Sequence, residues 1–369
     1  MSKSKMIDNV TRSNRRWTLG YLIAAVVLFG IYQFLLPWPN IPEGLYNFIY
    51  TWFPPLAINE SLVYVIMALG LNVVVGYAGL LDLGYVAFWA IGGYCCGWFM
   101  SEFLYFLNFH FLGSVTQDRP GIHINFWFVL VIGGFVCALF GILIGAPTLR
   151  LKSDYLALVT LGFGEIIPQV FYNGENFFGF NISNGTKGIV IVDPVPMGVK
   201  NLGPFDFGWK LLIFVFLTAF MVFVSLRLRK GRLGRAWLAI REDELAASMM
   251  GVPLMRTKLA SYAVGAFAGG VGGVAFATHI NGVYAERFNF TISIFLLAMV
   301  VMGGMGNVWG VILSAFILSW VNGTGLPAFG NTFNEKFGTQ IDFPSFAFLI
   351  FGLVLILMML FKREGLIPE

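Results

Sequence analysis

A chain of 369 residues that is 58% hydrophobic and only 11% charged, with 39 phenylalanines and a mean hydropathy of +0.79, lies outside the range of soluble domains. Its apolar runs recur along most of the length, which fits an all-α, polytopic helical membrane protein built as one domain. The net charge of +4 does not point to nucleic acid, because the basic residues gather at the ends of apolar runs, where they report topology.

Residues 1–18 form a basic lead into the first apolar run, 19–36. That run is longer than a signal-peptide core and is followed by PWPNIP rather than a small-residue cleavage site, so it is expected to persist as the first span. A span needs about 20 apolar residues to cross roughly 30 Å of hydrocarbon. Further candidates follow at 56–75, 83–107, 124–146, 155–173, 209–227, 258–280, 291–304, 308–323 and 344–361, so that about ten transmembrane or re-entrant segments fill a single domain at 19–361. With the N-terminus placed in the cytoplasm and sides alternating, 17 of the 23 Lys and Arg fall inside and six outside, as the positive-inside bias requires. Both termini are then cytoplasmic, including a short tail at 362–369. Residues 174–208, rich in Gly, Pro and Asn, form an outer loop long enough to fold over the mouth of the bundle and receive an external partner.

Glycines interrupt three of the apolar runs: VVVGYAGLLDLGYVAFWAIGGY (73–94), VTLGFGEIIP (159–168) and VVMGGMGNVWG (300–310). Helix breaks at membrane depth are tolerated only where the freed backbone is buried in protein or lines a cavity, and in transporters they often mark the substrate path. Candidates for a translocation path are therefore Asn72, Gly76, Gly79, Asp82, Gly162, Gly164, Glu165, Gly303, Gly304 and Gly306. Glu165 is ionisable within an apolar run, and two readings stay open: it bonds neighbouring backbone freed by Pro168 or sits at an interface near a span end, or else it lines or gates the path. In GAFAGGVGG (265–273), Gly269 and Gly273 have the GxxxG spacing that lets helices approach closely.

Catalytic chemistry has no foothold. Cys95, Cys96 and Cys137 sit inside apolar segments as small hydrophobes, and His110, His123 and His279 are scattered without metal-ligand spacing. No GxxxxGK[ST] phosphate loop and no serine nucleophile motif occurs. The chain is expected to be no enzyme, and to hold no metal or cofactor of its own.

Charge concentrates in GRLGRAWLAIREDELAASMMGVP (231–253), within a segment at 228–257 that the topology places in the cytoplasm. Glu242, Asp243 and Glu244 are consecutive, so on a helix they diverge by about 100° each and cannot form one carboxylate cluster. The acids instead sit at the positive end of a short helix, DELAASMM, that Gly251 and Pro253 stop. Leu245, Ala246, Ala247, Met249 and Met250 would leave apolar surface in water unless something covered them. A solvated charged loop that only sets topology is the competing reading.

At this segment, and in GYAGLLDLGYVAFWAIGGY, LRLKSDYLALVTLGFGEII, FLLAMVVMGGMGNVWG and LFKREGLI, the sequence resembles the LivM-like permease subunits of ATP-binding-cassette (ABC) importers, which move branched-chain amino acids across the bacterial inner membrane. The resemblance covers about residues 61–365. It implies a coupling helix that docks on an ATPase subunit, with Gly234, Arg235, Ile240, Arg241, Glu242, Asp243, Glu244, Ala247 and Gly251 at the matching positions. It further implies two cytoplasmic ABC ATPase subunits that bind ATP and Mg²⁺, a second, LivH-like permease forming a heterodimer, and an extracytoplasmic substrate-binding protein. The family's EAA-x3-G pattern is degenerate here, with Leu245 where its Glu would stand, and Asp82 and Tyr85 replace a usual Ser and His. A urea- or amide-type permease of the same family is the near alternative, and an ATP-independent channel or secondary carrier the distant one.

Overall fold

The computed structural model describes residues 17–18, 20–21, 23–35, 42–116, 118–151, 153–197, 200–362 and 365–367. The basic lead at 1–18, apart from Trp17 and Thr18, and residues 363–364 and 368–369 of the tail lie outside the described residues. The structure is 74% helical.

An apolar helix α1 (Ile23–Phe34) and a short α2 (Glu43–Trp52) lead into α3 (Pro55–Leu71), which continues through a π turn, Asn72–Tyr77. Then come α4 (Val86–Phe99), α5 (Phe126–Thr148), α6 (Ser153–Tyr172) and α7 (Phe207–Lys230). Two short helices, α8 (Arg232–Glu242) and α9 (Glu244–Met249), precede α10 (Leu254–Ile280), α11 (Phe290–Gly303), α12 (Val308–Trp320), α13 (Leu326–Phe337) and α14 (Ala347–Phe361). Among the described residues, seven helices are long and apolar enough to cross a membrane, and three shorter apolar ones accompany them.

The predicted elements differ from the observed ones in instructive places. The expected span 83–107 is a 14-residue helix followed by strand β1 (Met100–Ser101), because the chain turns at Met100 to pair antiparallel with a later strand. That later strand, β3 (Gly121–Ile124), also pairs with β2 (Asn108–Phe111) in parallel. The loop at 174–208 contributes β4 (Ile189–Val190), β5 (Val195–Met197) and β6 (Lys200–Leu202). β4 pairs with β7 (Gly282–Val283), just past the end of α10. These small sheets gather the interhelix connections opposite the end that carries α8 and α9. There His123 Nδ1 lies 2.8 Å from Asp193 Oδ2; burial pushes the Asp193 carboxyl up, opposed by that hydrogen bond and by the His123 charge.

α10 is the axis of the packing, set against α3, α4 and α5. Its sequence GAFAGGVGGVAFA is nearly continuous small residues, and nearly all of it is buried. A Cβ on Gly273 would sit 2.6 Å from Gly93 N and strike the Trp89 carbonyl, while one on Gly270 would sit 2.6 Å from Gly133 O. Backbone therefore meets backbone on two neighbours at once. In lipid no hydrophobic force drives helices together, so this close packing supplies the attraction, as the GxxxG spacing anticipates. The three cysteines are free and buried in the same packing.

A methyl group separates packing glycines from spare ones. Gly273→Ala should lower stability by about 1–3 kcal/mol through overpacking. Gly162→Ala, where a Cβ would meet nothing within 4 Å, should instead be neutral or stabilise by up to about 1 kcal/mol through helix propensity. Thermal unfolding of the two purified variants in detergent reads the opposite signs.

Candidate functional site: a charged elbow tied to two helix breaks

The charged segment is two helices, not one. α8 ends at Glu242, Asp243 adopts an extended conformation (φ −153°, ψ 110°), and α9 starts at Glu244. Asp243 Oδ1 accepts the Ala246 N–H at 3.0 Å, so the middle acid is the N-cap of α9. Glu244 Oε1 accepts from Lys258 Nζ at 2.6 Å, which fastens the elbow to the first turn of α10. Glu242 is exposed. Asp243 and Glu244 thus have different jobs, and the extended backbone at Asp243 keeps the three consecutive acids from sharing one helix. Gly251, at φ +83°, ends α9 in the left-handed conformation that glycine favours.

The elbow is anchored from beneath. Gly234 permits the tight entry from α7, since a Cβ there would collide with the Leu228 and Arg229 carbonyls. Trp237 is fully buried, donates from Nε1 to the Thr257 carbonyl at 2.8 Å and stacks on Tyr77 at 6.5 Å. Ile240 and Ala247 face inward, whereas Arg235 lies exposed. Leu245, Met249 and Met250 point out, with 72%, 85% and 85% of their surfaces exposed.

Arg241 carries the key contact. Its Nη1 donates to the Gly76 carbonyl at 2.5 Å and reaches the Met305 carbonyl at 3.4 Å. Gly76 lies in the π turn that ends α3, and Met305 lies in the connection between α11 and α12. Asn72 ties the same two places together: its Oδ1 accepts the Gly306 N–H at 2.9 Å. Glycine is required around this knot. A side chain at Gly76 would strike Asn72 Oδ1 and Gly306 N, and one at Gly79 (φ +69°) would come within 2.9 Å of Arg241 Cγ. Gly304 and Gly306 take φ +101° and +93°. Asn307 then caps α12, accepting from Trp309 N and Gly310 N, and donates to the Ile367 carbonyl at 2.8 Å. Leu366 N donates to the Met302 carbonyl at 2.9 Å, so residues 365–367 close over the second break.

Of the proposed path residues, Asn72, Gly76, Gly79, Gly304 and Gly306 meet in this knot. Gly303 packs against Gly310 across the α11–α12 turn. Asp82 is buried in the adjoining loop, where its Oδ1 accepts the Gly84 N–H at 2.9 Å, and Gly164 lets α6 approach Gly84, with a Cβ at 3.0 Å from Gly84 Cα. The run at 159–168 is not a break, contrary to expectation: α6 passes through Gly162, Gly164 and Pro168 without interruption. Pro168, lacking an N–H, leaves the Gly164 carbonyl without its intrahelical donor, but Glu165 makes no hydrogen bond to any described residue and is instead exposed beside a cavity of about 400 Å³. Sequence reading missed Lys258, Tyr77, Asn307 and the docked 365–367 segment. Their partners lie 14 or more residues away or on elements with no shared motif, and only the position of Lys258 one turn into a span hinted at a role. Among the described residues no group of His, Cys, Asp and Glu could hold a metal ion.

The family described as branched-chain amino acid transport system / permease component matches residues 56–359. The chain is 37% identical over 329 residues to the high-affinity branched-chain amino acid transport system permease protein LivM of Escherichia coli strain K12, covering 84% of this chain and 68% of that protein. The LivM of Salmonella typhimurium is similar to the same degree. The permease protein BraD of Pseudomonas aeruginosa, of the same kind of transport system, is 24% identical over 345 residues, covering 89% of this chain and 99% of that protein. No solved structure matches.

Removing the Arg241 guanidinium would leave two carbonyls at the knot without their donor. Arg241→Met should cost about 1.5–3 kcal/mol locally and speed hydrogen exchange of the amides at 76–80 and 304–307 by about tenfold or more, with the amides of α10 unaffected. Hydrogen-exchange mass spectrometry on the purified chain checks this.

Proposed function

This chain belongs to the family of branched-chain amino acid transport system permease components, and from that premise we propose how its elbow performs the work of an ABC importer. The chain is the membrane-embedded permease subunit, multi-pass and not itself an enzyme. Branched-chain amino acids cross through it. Two separate ATPase subunits bind ATP and Mg²⁺ on the cytoplasmic side. An external binding protein delivers the substrate to the face carrying residues 174–208, and a second, LivH-like permease completes the core in the bacterial inner membrane.

The elbow α8–α9 is the docking element for one ATPase. The observation that carries this reading is that Leu245 and Met249 on α9 and Met250 just past its end stand exposed, while Ala247 is buried on the other side and Lys258 holds Glu244. Each such apolar side chain gains about 1.5–3 kcal/mol when covered, enough for a few of them to anchor a partner. Asp243 and Glu242 rim the patch with negative charge. When ATP closes the ATPase pair, the displacement enters at α9 and passes through the Asp243 corner into α8. Arg241 then transmits it to the Gly76 and Met305 carbonyls, so that the two breaks move together and the bundle rocks between outward- and inward-facing states.

Reconstitution of this chain with its partner subunits in proteoliposomes should give leucine uptake that depends on ATP and on the ATPase subunits. ATP-independent uptake by this chain alone would overturn the importer reading in favour of a carrier. A charge placed in the patch tests the docking assignment: Met249→Glu should weaken ATPase association by about tenfold or more without changing thermal unfolding of the isolated chain. Unchanged association, measured by co-purification, would move the docking surface elsewhere.

A further inference from the structure

The outward face of α6 is chemically wrong for lipid. Glu165, Gln169 and Asn173 follow one another at four-residue spacing, so they rise along one side of the helix, and all three are exposed. Neither Glu165 nor Gln169 has a side-chain hydrogen bond to any described residue, while Asn173 Nδ2 donates to the Gln169 carbonyl at 3.0 Å. A carboxyl group and a primary amide on the free face of a spanning helix are costly in hydrocarbon and mark a face turned toward water, substrate or protein. The same surface is concave. Glu165, Gln169 and Asn173 line a cavity of about 400 Å³ together with Ile166, Val170 and Phe177. That size falls within the range of small-molecule sites, about 300–1,000 Å³. The wall is therefore two-sided, with acceptor oxygens on one strip and branched or aromatic hydrocarbon on the other, and it includes no basic residue.

We propose that this α6 groove is one wall of the translocation path, and that Glu165 receives the ammonium group of the amino acid in transit while Ile166, Val170 and Phe177 flank its aliphatic side chain. The assignment rests on the importer reading above. It separates two functions that the glycine-rich runs suggested were one: the knot around Arg241 transmits motion, and the groove on α6 meets the substrate. Gly164 connects them, because it brings α6 against the loop that follows the first break. The groove is open on its far side, so the remaining wall comes from the second permease. With a carboxylate and no cation on this wall, the chain distinguishes the ammonium end of a zwitterion from its carboxylate end.

Two measurements on the fully assembled importer in proteoliposomes test this. Gln169→Cys should react with a positively charged, water-soluble methanethiosulfonate, over a low background because Cys95, Cys96 and Cys137 are buried. Glu165→Gln should lower ATP-driven leucine uptake by about tenfold or more, and Glu165→Asp should restore it partly, with the amount of assembled complex as the control for folding. Reaction of Gln169→Cys only with a bilayer-soluble maleimide would make the face lipid-exposed. Failure to react with either reagent would make it a protein contact. Undiminished uptake by Glu165→Gln would remove the ammonium contact. Any of these three overturns the proposal while leaving the importer reading in place, whereas absence of leucine uptake by the unmodified assembly would remove both.

Discussion

A helix that breaks inside a membrane protein leaves backbone carbonyls without intrahelical donors, and something must donate to them. In this chain one side chain, Arg241, does so for two breaks at once, the one at Gly76 and the one at Met305. Asn72 adds a donor-acceptor contact between the same two breaks through Gly306. The rest of the structure follows from that economy. The loops must pass close enough for a single guanidinium to serve both, which demands Gly76 and Gly79 beside it and left-handed backbone at Gly304 and Gly306. The elbow that carries Arg241 must in turn be seated firmly, which Trp237, Gly234 and the Glu244–Lys258 pair accomplish.

Above the knot the bundle holds together by a different means. α10 packs backbone to backbone against α4 and α5 through Gly270 and Gly273, so its position is set by steric fit over a long stretch. α6, by contrast, packs on α4, α5, α11 and the loop after the first break, and its opposite face carries Glu165, Gln169 and Asn173.

How much of this could be read from the chain depended on whether the signal was local. Most apolar runs of span length, the close-packing glycines of α10 and the stop at Gly251 and Pro253 are local and appear where their residues place them, whereas the run 83–107 ends as a helix at Phe99 because the chain there pairs with a distant strand. Two of the three glycine-rich runs interrupt helices because their glycines adopt positive φ or abut another backbone. The third does not, because Gly162 and Gly164 sit within an otherwise helix-compatible sequence and Pro168 is accommodated inside α6. The elbow was legible as a capped helix, but its corner was not: Asp243 caps α9 and ends α8, and nothing in REDEL distinguishes a helix start from a helix interior. The partners of Arg241 lie 165 and 64 residues away, and of Asn72 234 residues away. Such pairings arise only once the spans have packed, so the residue types were visible and their meeting was not.

The segment at 365–367 seals the second break, through Leu366 to Met302 and Asn307 to Ile367. That cover comes from 60 residues further along the chain, so it exists only once α14 has packed against α11 and returned the backbone to the break. The second break is thus closed by tertiary structure and not by its own local sequence.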